Sequence, residues 1–268
     1  TDVRTNRAVV AASRSSALPV IGNSIRWMVA ILNASGDERS CPVEMRVDGK
    51  LLKKQPVSFL AGEASTSFTH RFDRPGPHAV SFHLPADDLD ADNHRYDVVV
   101  MREMLNVLCV TGGTGTAEDL ALALNPDEES SVRVQIEPAH SLGRRRLSEF
   151  DAIFLCNVSE VTRQHARDLR NYVASGGGLV VFLGDRCSAE NYNSLLGGAM
   201  QSGPALLPAQ LDSTVPYGRY RIDPKEYSHP LVRLFRGQDE SGLLSTPIWR
   251  YVRLASPSDT AQVALAFQ

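Results

Sequence analysis

Through roughly the first third of the chain, apolar and polar residues alternate with a period of two. The runs are short: SIRWMVAILN, CPVEMRVDGKLL, QPVSFL, STSFTHRF, PHAVSFHL and RYDVVVM. Gly, Pro and Asp separate them at spacings of about ten residues, and Asp48-Gly49 predicts a tight hairpin turn. No helical period competes with the alternation. A strand that turns one face to a core and the other to water produces this pattern, and repeated at this spacing it predicts a β-sandwich.

Near residue 104 the pattern changes. LNVLCVT is an apolar run that ends in GGTGT; AEDLALAL follows as a short helix, VRVQIE as a second strand and DAIFLCN as a third. SEVTRQHARDLRNYVASGGG then reads as an amphipathic helix with Ala166, Leu169 and Val173 on one face and Gly176 to Gly178 ending it. GLVVFLG is almost wholly apolar, as a strand covered on both faces should be, and AENYNSLLG predicts another helix. Strands alternating with helices predict βαβ units and a mostly parallel sheet. The stretch Ser202 to Tyr217 predicts a long excursion, after which WRYVRL and AQVALAF add late, antiparallel strands. Two domains are therefore expected, 1–104 and 105–268.

Composition narrows what these domains can do. The 268 residues carry a formal net charge of −3, with a pI near 6.2, so no field gathers nucleic acid or an anionic membrane surface. No apolar run reaches the roughly 20 residues that span a bilayer. The chain starts at Thr1 and stops at Gln268, directly after an apolar run, which reads as a piece excised from a longer protein with its second domain cut short. Cys41, Cys109, Cys156 and Cys187 have no zinc spacing. Cys109 and Cys156 read as core thiols, and a Cys156–Cys187 bridge is possible if both lie at one sheet edge. Asp87, Asp88, Asp90 and Asp92 crowd one turn but lack the D-x-D-x-D-G calcium loop and its closing Glu. Neither a metal nor a cofactor is expected.

In an open parallel sheet, ligands bind beyond the carboxyl ends of the strands. That rule selects four loops, Gly112 to Thr116, Asn157 to Ser159, Gly184 to Ser188 and Tyr227 to Pro230, with Gly112, Gly113, Thr114, Asn157, Asp185, Arg186 and His229 as the candidate ligand-binding residues. The glycine loop, with Glu137 in the place of a ribose-binding acid, permits a nucleotide or sugar reading, although Glu118 stands where the third glycine of the fingerprint belongs. Gly184 to Ser188 follows a strand and precedes a helix, the position of a nucleophile elbow, and permits a hydrolase or transferase reading. There the simpler role for Asp185 is to cap the next helix or pair with Arg186. A His229 before proline is a structural cap as readily as a general base. Arg144-Arg145-Arg146 reads as a solvated helix face.

The second half, carried by LNVLCVTGG, by DAIFLCNVSEVTRQHARDLRNYVASGGGLVVFLGD, by NSLLG and by SHPLVRLF, resembles the class I glutamine amidotransferase-like superfamily, especially its noncatalytic ThuA-like relatives. The resemblance implies a flavodoxin-like three-layer α/β sandwich. Active members use Gly-x-Cys-x-Gly and a downstream His-x-Glu pair. Here Asp185 or Arg186 falls at the elbow, and none of the seven histidines is followed two residues later by Glu, so no glutaminase activity is expected. LNASGDERSCPVEMRVDGKLL, RPGPHAVSFHLPADDLDADN and RYDVVVM resemble a bacterial immunoglobulin-like module. Together the two modules resemble membrane-anchored bacterial proteins of the BatA type. That implies a noncatalytic segment on the periplasmic or extracellular side, reaching the membrane only through other segments and binding a protein partner or a small ligand. No nucleic acid is expected, and the oligomeric state is left open.

Overall fold

The computed structural model describes residues 6–15, 17–34, 40–59, 62–127, 130–197, 204–238, 242–255 and 257–268. The chain divides into two units, Thr1–Leu105 and Asn106–Gln268.

The first unit has seven strands: β1 (Arg7–Arg14), β2 (Ser24–Asn33), β3 (Ser40–Val47), β4 (Lys50–Ser58), β5 (Glu63–Arg71), β6 (Gly76–His83) and β7 (His94–Met101). They form two antiparallel sheets, β1-β2-β5 and β4-β3-β6-β7, an immunoglobulin-like sandwich. The period-two pattern has a direct physical outcome. Ile25, Trp27, Val29 and Ile31 of β2 face Cys41, Val43, Met45 and Val47 of β3 in one core, while the residues between them point out. Trp27 is fully buried against Phe72 and Phe82, with ring centroids 6.3 Å away in each case. Its indole N–H donates to Asp97 Oδ2 at 2.8 Å, so the core carries no stranded donor there.

The Asp48-Gly49 turn joins β3 to β4 with φ of 49° and 79°, the left-handed pair that a two-residue hairpin requires. Of the acids crowded near residue 90, Asp87 turns inward. Its side chain is inaccessible to solvent and accepts from the N–H of Arg7 (2.7 Å), the N–H of Leu89 (3.0 Å) and Asn93 Nδ2 (3.0 Å), with the Arg7 guanidinium 3.7 Å away. It ties the loop to the first strand. No group of metal-ligating side chains occurs among the described residues.

In the second unit, β8 (Leu105–Thr111), β9 (Val132–Pro138), β10 (Ala152–Cys156) and β11 (Gly178–Phe182) form a four-stranded sheet in the order β11-β10-β8-β9, with β10 parallel to both β8 and β11. The helices are α1 (Glu118–Leu124), α2 (Arg163–Ala174) and α3 (Ala189–Leu195). Ala166, Leu169 and Tyr172 of α2, with Tyr192 of α3, pack on Leu108, Val110, Ile153 and Leu155. Thr162 caps α2 by accepting the His165 N–H at 3.1 Å, and the His165 ring accepts the Thr162 N–H in return. Burial lowers the His165 pKa, which favours the neutral ring this role needs. Gly176, at φ 95°, ends the helix: its N–H reaches Val173 O and that of Gly177 reaches Tyr172 O.

Several sequence expectations fail here. GLVVFLG is not covered on both faces: β11 is an edge strand, with Val180 36% and Phe182 47% exposed. Unbroken hydrophobicity does not distinguish a sheet's middle from an apolar edge. Part of the expected excursion is a strand, β12 (Gln210–Thr214), although residues 202 and 203 lie outside the described residues. β13 is Ile222–Asp223 and β14 is Val252–Ala255, and of AQVALAF only Ala266–Phe267 forms a strand, β15. These late strands are antiparallel, as the pattern predicts, but they make two separate ribbons, β12-β14 and β13-β15. The three consecutive arginines lie on no α-helix; Arg144 ends a 3-10 turn, Arg145 and Arg146 follow it, and Arg145 forms an ion pair with Glu137. No disulfide joins Cys41, Cys109, Cys156 or Cys187, so the Cys156–Cys187 bridge is not formed.

Candidate functional site

Strand order reverses at β8, with β9 on one side and β10 on the other, the place where doubly wound sheets take ligands beyond the carboxyl edge. Three of the four loops selected from sequence meet there, and Asn157 is the hub. A Cβ on Gly112 would lie 1.7 Å from the Asn157 carbonyl oxygen, and one on Gly184 would lie 2.4 Å from its side chain. Only glycine lets the three loops close this tightly.

Asn157 sits at φ 51°, a left-handed conformation that Asn tolerates better than most side chains. The bend directs its amide across the crevice. Its Nδ2 donates to Asp185 Oδ1 at 2.9 Å, and its Oδ1 accepts the Arg186 N–H at 3.0 Å. The Arg186 guanidinium lies over Gly113, where a Cβ would meet Nη1 at 2.4 Å. Asp185 is held below its ordinary carboxylate range, first by the Asn157 hydrogen bond and further by the charges of Arg186 and Arg250. Arg250 comes from the distant β14 region, and no local pattern in the sequence marks it. Asp185 does not cap α3; Ser188 does, accepting the Asn191 N–H at 3.2 Å.

The glycine loop is saturated from within. Gly113 N–H donates to Thr111 Oγ1 at 3.1 Å, and Thr116 Oγ1 donates to Gly113 O at 2.7 Å. Several of the amides that a phosphate would need are already taken: the Glu118 carboxylate accepts the Ala117 N–H at 3.0 Å, and the N–H groups of Ala117, Gly115 and Glu118 lower its pKa. Thr114 is exposed at the loop tip. Glu137 is engaged by Arg145.

Cys187 has no base beside it among these contacts. Its Sγ accepts the Gly184 N–H at 3.5 Å and lies 3.8 Å from Asn157 Oδ1. The nearby Tyr192 phenol is pushed up by burial and donates to Val158 O at 2.8 Å. His229 joins none of this; its Nδ1 accepts the Leu231 N–H at 3.2 Å inside its own turn.

No family model and no curated protein matches the chain. Among solved structures it is similar to the CARDB domain of the PF1109 protein from Pyrococcus furiosus, crystallised in complex with di-metal ions: 15% identity, 37% of this chain, 90% of that one and a TM-score of 0.33. It is also similar to a β-glucosidase from Listeria innocua, with 16% identity, 36% of this chain, 16% of that one and a TM-score of 0.27. A third likeness is to fibronectin(III)-like modules of CbhA from Clostridium thermocellum, with 13% identity, 34% of this chain, 97% of that one and a TM-score of 0.23. Likenesses at this level assign neither a family nor a ligand to the chain. No described helix is long and apolar enough to cross a membrane.

Proposed function

We propose that the chain is a noncatalytic, extracytoplasmic segment of a membrane-anchored bacterial protein, and that its strand-end crevice binds a small ligand or a polar group of a protein partner. In this reading the second unit is a flavodoxin-like, glutamine amidotransferase-like domain that has lost its glutaminase machinery. Its strand order supports this, since β9-β8-β10-β11 follows the 2-1-3-4 succession of doubly wound sheets. The compartment follows from the resemblance of the two modules in sequence.

The observation that carries the reading is the company Cys187 keeps. A thiol becomes a nucleophile when a base or a cation favours its thiolate. Here it meets an amide oxygen and a peptide N–H, while Asp185 bonds Asn157 through Oδ1 rather than facing the thiol. What remains at the mouth is a carboxylate with Arg186 and Arg250 close by, a set suited to holding a polar ligand.

Incubating the purified chain with glutamine and with a p-nitrophenyl ester tests this. Background release of ammonia and nitrophenol is expected. Turnover above background that Cys187→Ser abolishes would overturn the noncatalytic reading. Tight binding of ATP by calorimetry, lost in Gly113→Val, would move the site to the glycine loop.

A further inference from the structure

A second surface in the same unit, apart from the strand-end crevice, has the form of a strand receptor. Among the described residues, β11 pairs only with β10. Gly178 N–H reaches Asp151 O, and Phe182 O accepts the Asn157 N–H at 2.9 Å, so Gly178, Val180 and Phe182 turn their backbone groups toward β10. By the alternation of a strand, Leu179 and Val181 turn theirs outward.

Opposite this edge stands a wall, Leu206, Leu207, Pro208, Ala209 and Leu211, with Leu254 beyond it. The wall does not pair with β11 because it is fastened elsewhere. Asn193 of α3 takes both backbone groups of Leu211, donating to its carbonyl at 2.7 Å and accepting its N–H at 2.8 Å. The Leu206 N–H reaches Leu196 O at 2.8 Å. A slot of about 280 Å³ is left between edge and wall. Among the described residues ten line it and none is charged, in a chain where 22% of residues are.

We propose that this slot receives an extended, uncharged, apolar strand of a partner polypeptide, which adds to the sheet beside β11. The outward backbone row requires an extended chain, because only a strand presents donors and acceptors at matching intervals. The charge-free walls require apolar side chains, because a cation or carboxylate lodged between Leu179, Val181 and Leu207 would lose its water without a partner. Fixing the wall to α3 prepares the slot before anything binds.

The test uses the full chain and a fluorescein-labelled hexapeptide of alternating Thr and Val, read by anisotropy, with amide exchange at β11 followed by NMR. Binding is expected, with slowed exchange at the Leu179 and Val181 amides. Leu254→Lys, at a position already 55% exposed, should weaken it about tenfold. Val181→Pro removes an outward donor without breaking a bond to β10 and should weaken it comparably. Absence of binding to the unaltered chain would overturn the proposal, as would equal binding of a peptide alternating Thr and Lys. A concentration-dependent dimer that Leu254→Lys dissolves, without an effect of peptide, would also overturn it by giving the slot to a second copy. Glutamine turnover at the crevice would not alter any of these outcomes.

Discussion

The two units treat their sheet edges in opposite ways. In the sandwich, the edge strands β1 and β7 are cross-braced by guanidinium groups: Arg14 Nη1 donates to Val98 O at 3.4 Å and Arg95 Nη2 to Val10 O at 2.9 Å. Arg14 also lies 3.6 Å from Asp97. Carbonyls that could recruit a foreign strand are occupied, and charge stands beside them. In the α/β unit, β11 carries only apolar side chains after Gly178, and an uncharged slot lies along its edge. Both edges have unused backbone groups by construction. One is sealed by long cations and the other is left apolar, which separates an edge that opposes strand addition from one open to it.

The largest expected effect lies inside the sealed unit. Trp27→Ala removes the fully buried ring and leaves Asp97 without its indole donor, so denaturant unfolding of the sandwich should lose about 3–5 kcal/mol while the α/β transition stays in place. A shift of both transitions together would contradict two separate cores. Gly112→Ala tests the second unit in the same way. Its new Cβ would strike the Asn157 carbonyl, which is backbone and cannot swing aside, so about 3 kcal/mol or a little more should be lost from the α/β transition alone. Gly113→Ala meets only the mobile Arg186 guanidinium and should cost far less.

A smaller change sharpens the contrast of edges. Removing both braces with Arg14→Ala and Arg95→Ala should leave sandwich stability within about 1 kcal/mol, since exposed polar contacts are weak. Self-association should nevertheless rise, visible as a concentration-dependent sedimentation coefficient. A double variant that stays monomeric at high concentration would remove the sealing role assigned to these arginines.

Smallest is the pH response of the hairpin. His78 donates through Nδ1 to Asp48 Oδ2 at 2.7 Å and faces Arg74 O at 3.0 Å, and the Asp48 bond raises its pKa above the ordinary 6.5. That contribution is complete below 6.5 and fades as pH rises through the folded value. Asp48 is lowered from 3.8, chiefly by the same bond, so its share holds above 3.8 and is lost as pH falls through its own folded value. The contribution of this pair should therefore be greatest between those limits, at under about 1 kcal/mol; burial lowers the pKa values of His70 and His83, which work against it there, and Asp48→Asn should remove the pair's share of the profile.

What the sequence discloses divides along the same line. The sandwich was legible because its order is local: period-two runs, turn residues and Asp48-Gly49 each act over a few positions. The α2 face of Ala166 and Leu169 and its glycine ending were legible for the same reason. In the crevice, Gly112, Gly113, Asn157, Asp185 and Arg186 could be named from the rule that ligands sit beyond strand ends. Their bonding through the Asn157 amide could not, because it depends on loops 28 and 29 residues apart in sequence. Arg250 was missed because it arrives from a remote ribbon. Thr114 and His229 satisfied the same rule, yet one is exposed at a tip and the other bonds within its own turn. The open edge of β11 was hidden because GLVVFLG reads alike in the middle of a sheet and beside an apolar slot.

Amide hydrogen exchange of the free chain, resolved residue by residue, tests the central contrast most directly. The account predicts alternation along β11, with Val180 and Phe182 slow because their N–H groups point to β10, and Leu179 and Val181 fast because theirs point into the slot. Uniformly slow exchange across all four amides would mean that the β11 edge is already occupied, and would contradict the account.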